Sequence, residues 1–301
     1  MWSVSHPQKS PAPLAIPALL LGAVGIAFAP LFVRFSEVGP VATAAYRLTI
    51  ALPLLTLLCL RANGFGNGLP AALAVPRQTV RLLLLGAFCF AADLGVWHWS
   101  LKFTTVANST LLSNAAPVFV TLGAWLIFGQ RPRLIFVAGM LAAMAGAVVL
   151  LGESLWTSHL RLDGDLLALV TAFFYGGYIL TVGRLRASLS TPVLMFWNSL
   201  FGALMLFPAA WLSGEVMVPA SDQGWLVLCG LALVSQVGGQ SLIAYALAHL
   251  PPAFGSVTLL AQPAVAAILA WVLLGEALSP WQLTGGAIIV IGILLARKGS
   301  R

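Results

Sequence analysis

The stretch that decides the fold runs from residue 107 to residue 151: ANSTLLSNAAPVFVTLGAWLIFGQRPRLIFVAGMLAAMAGAVVLL. Two apolar runs, Val106–Phe128 and Leu134–Leu151, flank a short basic turn, Gln130-Arg131-Pro132-Arg133. A helix needs ~20 mostly apolar residues to cross ~30 Å of hydrocarbon, and each run meets that length. Sliding the chain by 146 residues lays this stretch on residues 253–297. Ala107, Ala115, Pro117, Ala124, Trp125, Gly129, Gly139 and Gly146 then meet Ala253, Ala261, Pro263, Ala270, Trp271, Gly275, Gly285 and Gly292. The matched proline, tryptophan and three glycines mark an internal duplication.

Working outward, eight further segments reach membrane length. They are Leu14–Phe32, Val41–Leu60, Val80–Leu101, Leu166–Val182, Pro192–Leu212, Gly224–Leu247, Ala253–Leu274 and Trp281–Ala296. Leu14–Phe32 reads as the first span and not as a cleaved leader, because nine similar segments follow it. The expected architecture is an all-α membrane protein of ten transmembrane helices. Residues 1–158 form one five-helix repeat and residues 159–301 a second. Five is odd, so the second repeat enters the membrane upside down, an arrangement that encloses a site near the midplane in many transporters.

Composition agrees. Of 301 residues, 60% are hydrophobic and 8% charged, where soluble domains carry roughly 25% charged residues. Lipid must therefore be much of the solvent. The net charge of +7 would point to nucleic acid in a soluble domain. Here the basic residues sit in short loops, which is a topology signal, and no nucleic-acid partner is expected. Placing both termini in the cytoplasm puts Lys9, Arg61, Arg77, Arg81, Arg131, Arg133, Arg184, Arg186, Arg297, Lys298 and Arg301 inside, and only Arg34, Lys102 and Arg161 outside. Cys59, Cys89 and Cys229 are isolated in apolar runs and indicate neither disulfides nor a metal site.

The segment Trp271–Ala296, WVLLGEALSPWQLTGGAIIVIGILLA, carries a further pattern. An apolar helix closes on Gly275-Glu276, a short turn follows, and Gln282-x-x-Gly285 opens a glycine-spaced last helix. This resembles the EamA-type family of the drug/metabolite transporter superfamily, over the whole chain. The first half departs from the pattern, with Gln130 where the family often has Glu. The resemblance implies a bacterial inner-membrane carrier of metabolites such as amino acids. It also implies a central cavity lined by spans 1, 3, 4, 6, 8 and 9, with no cofactor and no ATP hydrolysis. The chain holds no phosphate loop of the form GxxxxGK[ST]. The expected partners are a small-molecule substrate and the lipid bilayer, and the oligomeric state stays open, compatible with a monomer.

Ionisable groups inside a membrane are costly and mark function by default. Asp93 lies in the middle of span three, with Trp97 and Ser100 on its face. It reads as a proton- or cation-binding carboxylate, or as a packing group bonded to neighbouring helices. His98 points elsewhere on the helix and is a titratable candidate for substrate or proton. Arg47 in span two reads as a clamp for a substrate carboxylate, or as a side chain that snorkels outward or pairs with Glu37. Span four offers Thr110, Asn114 and the helix-breaking Pro117; span nine offers Gln262 and the matching Pro263. Tyr175 and Tyr178 in span six, Gln236 and Gln240 in span eight, and Tyr245 complete the set, and Trp99 joins the tyrosines and Trp97 as a possible aromatic wall. Polar residues of this kind are also ordinary interhelical glue. Trp156, Trp211, Trp225 and Trp281 read as an interfacial belt.

Three function classes follow: a secondary transporter exporting small organic metabolites, plausibly amino acids with apolar or aromatic side chains; an intramembrane enzyme; and a channel or scaffold. The enzyme lacks an HExxH, a GxSxG or paired intramembrane aspartates. The channel lacks rings of like charge or a filter signature. Transport is the reading the duplication favours.

Overall fold

The computed structural model describes residues 13–100, 102–104, 106–156, 162–274 and 278–300. Among these, ten helices are long and apolar enough to span a membrane: α1 (Ala15–Arg34), α2 (Pro40–Asn63), α3 (Arg77–Ser100), α4 (Ser109–Phe128), α5 (Leu134–Gly152), α6 (Leu162–Leu185), α7 (Thr191–Leu212), α8 (Asp222–Ala246), α9 (Pro252–Leu269) and α10 (Pro280–Gly299). Two short helical turns, Phe65–Asn67 and Gly68–Ala72, bridge α2 to α3. No strand occurs among the described residues. The expected all-α, ten-span architecture is what the structure has, and the protein is a multi-pass membrane protein.

The helices pair as α1 with α8, α2 with α7, α3 with α6, α4 with α9 and α5 with α10. Further contacts join α2 to α8, α3 to α7, α1 to α9 and α4 to α6. Exchanging each helix of the first five with its counterpart in the second five maps this set onto itself. The α5–α10 contact shows the same reciprocity in atomic detail. A methyl group added at Gly139 would fall 2.7 Å from the Gly292 carbonyl oxygen, and one at Gly292 would fall 2.7 Å from the Gly139 carbonyl. Gly146 and Gly285 meet in the same way, at 2.8 and 2.6 Å. Lipid offers no hydrophobic drive between helices, so small residues that let backbones touch supply the packing instead.

Cross-chain contacts sort the loops into two ends. At one end Glu37 accepts from the Ala220 and Ser221 N–H groups at 2.8 and 2.9 Å. The Ser221 hydroxyl, followed by its N–H, holds the Glu37 carboxyl below the usual carboxylate range. Glu215 accepts from Ala42 N–H at 2.9 Å and from Lys102 at 3.0 Å, and Thr104 donates to Asp165 at 2.8 Å. Each loop glutamate thus caps the N-terminus of a helix from another part of the chain, where exposed N–H groups and the helix dipole favour a carboxylate. At the opposite end Arg186 donates to the Ala244 carbonyl at 3.2 Å, and Arg184 lies 4.1 Å over the Phe128 ring. Burial lowers the Arg186 pKa.

Four helices lose regular winding near the middle of the bundle. The α1 helix is interrupted at Phe28, just before Pro30. A break at Asn114 and Ala115 divides α4 ahead of Pro117, and a tight turn, Leu259–Ala261, precedes Pro263 in α9. The α8 helix widens to π winding over Leu231–Gln240. Irregular backbone at membrane depth is tolerated where it lines a cavity or is buried in protein.

Candidate substrate cavity

The breaks surround a cavity of about 150 Å³. Pro30 comes from α1, Arg47 from α2, and Phe90, Asp93 and Trp97 from α3. Further lining is Thr110, Asn114 and Pro117 from α4, Thr171 and Tyr175 from α6, Gln240 from α8, and Ser256, Gln262 and Pro263 from α9. Each proline lacks the N–H that the carbonyl four residues earlier would accept in a regular helix. Those carbonyls belong to Ile26, Ser113 and Leu259, and all three residues are on the cavity wall.

Arg47 and Asp93 are buried, 5% and 8% exposed, and both face this space. They make no direct ion pair. Arg47 Nε donates to Gln236 Oε1 at 3.1 Å, and Gln236 Nε2 donates to Ser199 Oγ at 3.1 Å. That chain fixes one edge of the guanidinium and leaves its terminal N–H groups without an acceptor among the described residues. The structure corrects the snorkelling and Glu37-pairing alternative for Arg47. Glu37 is already bonded to the α8 N-terminus, and Gln236 holds the arginine inside the bundle.

Three buried carboxamide atoms around the cavity have no protein partner: Asn114 Nδ2, Gln240 Oε1 and Gln262 Nε2. An unmade bond of this kind costs ~1–3 kcal/mol, so a ligand or water that completes it is favoured. Phe90 supplies an apolar wall, with Tyr178 stacked behind it at 4.5 Å and also 6.0 Å from Tyr175.

Of the residues singled out in the sequence, Asp93, Arg47, Trp97, Thr110, Asn114, Tyr175, Gln240, Gln262, Pro117 and Pro263 line the cavity. Five do not. His98 is fully buried with Nδ1 bonded to its own helix at Leu94 O, 2.6 Å. Ser100 is bonded to Ser109. Tyr178 and Gln236 form a layer behind the wall. Tyr245 lies 5.1 Å from His249, near the end that carries Arg186. Trp99, offered as part of an aromatic wall, is 49% exposed on the outer surface. Trp211, Trp225 and Trp281 are exposed, as a belt requires; the side chain of Trp156 lies outside the described residues. Pro30 and Ser256 were not anticipated, although a proline inside an apolar run is the same signal that marked Pro117 and Pro263.

The profile of the EamA-like transporter family matches residues 13–152 and again 162–297. The chain belongs to that family. A probable terminal-alkyne amino-acid exporter of Streptantibioticus cattleyicolor is 29% identical over 94% of this chain and 93% of its own length. A probable amino-acid metabolite efflux pump of Salmonella typhimurium is 28% identical over 77% of this chain and 82% of its own. A solved crystal structure superposes with a TM-score of 0.78 at 22% identity, covering 96% of this chain and 97% of that one. It supports the fold.

Proposed function

We propose that this EamA-like transporter exports small zwitterionic metabolites, α-amino acids with apolar or aromatic side chains, through the central cavity. The observation that carries the reading is one cavity lined by a buried arginine and a buried aspartate that make no direct ion pair. Two opposite charges kept apart in a low-dielectric site are expensive unless a ligand pairs with both. A zwitterion does so. Its carboxylate takes the free N–H groups of Arg47, with Asn114 and Gln262 as further donors. Its ammonium goes to Asp93 and to Gln240 Oε1. The side chain lies against Trp97, Phe90 and Tyr175. Gln236 and Tyr178 act by positioning Arg47 and Phe90. Two relatives named as amino-acid exporter and efflux pump favour the same substrate class and direction.

Alternating access between two inverted halves, residues 1–158 and 159–301, is the accompanying mechanism. It is supported by the exchange symmetry of the helix contacts and by the two matched ranges of one family profile. The setting is a bacterial inner membrane, with the end carrying Arg61, Arg131, Arg184 and Lys298 in the cytoplasm by the positive-inside rule.

The test is counterflow in proteoliposomes. Labelled amino acid should accumulate transiently when unlabelled amino acid is loaded on the opposite side. Exchange confined to metabolites that lack either the carboxylate or the ammonium would overturn the zwitterion. A leak linear in concentration, without counterflow, would favour the channel.

A further inference from the structure

A second cavity of about 310 Å³ lies beside the first, at the end of the bundle that carries Glu37 and Glu215. Its walls come from the end of α1, the start of α2 and Trp97. Pro30 and Trp97 are the two residues that line both spaces. The two spaces therefore adjoin at one half-buried indole and at a proline of the α1 break.

The charge on this second space is Arg34, which is exposed and has no carboxylate partner among the described residues. Two loop acids at this end are occupied. Glu37, three residues along, is held by Ala220 and Ser221, and Glu215 by Ala42 and Lys102. The wall hydroxyls are occupied too: Ser36 and Thr43 bond each other at 2.7 Å. The space thus offers one guanidinium without an ion pair among the described residues and one aromatic face, a combination suited to a carboxylate with an apolar tail.

We propose that this second cavity is a vestibular binding site for small organic carboxylates, built on Arg34 and partitioned from the central cavity by Trp97. That the carboxylate belongs to the transported zwitterion rests on the function proposed above; the cationic vestibule and its partition do not.

The experiment uses the full chain in membranes, with Cys59, Cys89 and Cys229 replaced by alanine, and membrane-impermeant methanethiosulfonate reagents of opposite charge as probes. At Ser36→Cys the anionic reagent should react faster than the cationic one, relative to a free thiol, by about tenfold, the size expected of one unit charge acting on two opposite probes in a largely aqueous site. Arg34→Gln should remove that preference. At Gln240→Cys, in the central cavity, labelling from the same side should be slow. It should rise about tenfold or more when Trp97→Ala opens the partition, and stay slow in Trp97→Phe; Trp97→Leu serves if the alanine variant does not fold. An anion preference unchanged by Arg34→Gln overturns the carboxylate site, and Gln240→Cys labelling indifferent to Trp97 overturns the partition. Neither arm uses a substrate, so amino-acid counterflow with a failed vestibule leaves the proposed function standing. An intact vestibule without counterflow does the reverse.

Discussion

Arg47→Gln is the sharpest perturbation of the proposed zwitterion site, because it removes one charge and leaves the other buried. Arg47 is 5% exposed and its Nε is bonded to Gln236, so the substituted amide keeps a polar neighbour and the fold should survive. Removing one partner of a buried, hydrogen-bonded charge pair costs ~2–5 kcal/mol. At ~1.4 kcal/mol per factor of ten, amino-acid affinity should fall by about 30-fold to several thousandfold. Arg47→Lys keeps the charge but loses the planar fork, and should sit between wild type and Gln. The decisive comparison is chemical. An amine with the same side chain but no carboxylate has nothing to lose at position 47. Its binding should therefore be insensitive to Arg47→Gln and should collapse in Asp93→Asn, while the amino acid loses affinity in both. Calorimetry or scintillation proximity on purified protein measures all four combinations. If Arg47→Gln weakens the amine and the amino acid by the same factor, Arg47 does not hold the carboxylate and the reasoning fails.

Asp93→Asn keeps the shape of the side chain and removes its titration; if Asp93 also carries the coupling proton, the counterflow that remains at raised amino-acid concentration goes with uphill transport that no longer responds to a pH gradient, and an unchanged response would return Asp93 to ligand binding alone. Gly139→Ala and Gly292→Ala each force a methyl against a facing backbone and should lower unfolding stability by ~1–3 kcal/mol; one separation of α5 from α10 relieves both, so the double variant should cost less than the sum, and strict additivity in a detergent unfolding titration would contradict the shared contact. Glu37 has its pKa depressed by Ser221, so its clamp on the start of α8 is intact above the ordinary carboxylate pKa of ~4.3 and is lost only as pH falls through the lower folded value; protection of the Ala220 and Ser221 amides, measured against the intrinsic exchange rate at each pH, should fall at low pH in the wild type and be reduced at all pH values in Glu37→Gln. Reporter fusions at Arg301 and in the loop between α5 and α6 should report opposite sides of the membrane, with Arg301 cytoplasmic, and finding both on one side would remove the ten-span topology.

The spans were readable because lipid imposes one rule, a run of apolar residues of fixed length, and that rule leaves a mark in one dimension. Pro117 and Pro263 were readable for a related reason: a proline in such a run forces a break, and a repeated break announces a shared site. Spacing along α2 left two readings of Arg47 open, because its depth is set by a partner 189 residues away. The glutamines of α8 show a second limit. Spacing puts Gln236 and Gln240 on one face, and both fall in the π-wound stretch Leu231–Gln240, yet they meet different neighbours. Gln236 turns to Arg47 and Ser199 while Gln240 reaches the cavity. Tyr175 and Tyr178 divide by layer in the same way, one on the wall and one behind it, because Phe90 fills the space between Tyr178 and the cavity. A helical face tells which way a side chain points and not what already stands in front of it.

The three proline breaks bear on how this transporter can change over evolutionary time. Pro30, Pro117 and Pro263 each lack the N–H that a regular helix would offer to the carbonyl of Ile26, Ser113 or Leu259, and all six residues line the cavity. The shape of the backbone around the cavity is thus set by three prolines and not by the polar side chains beside them. Side chains such as Asn114, Tyr175 and Gln262 can be exchanged for others while that irregular backbone stays in place. A lineage can then try new cargo by single steps, without first rebuilding the walls of the cavity.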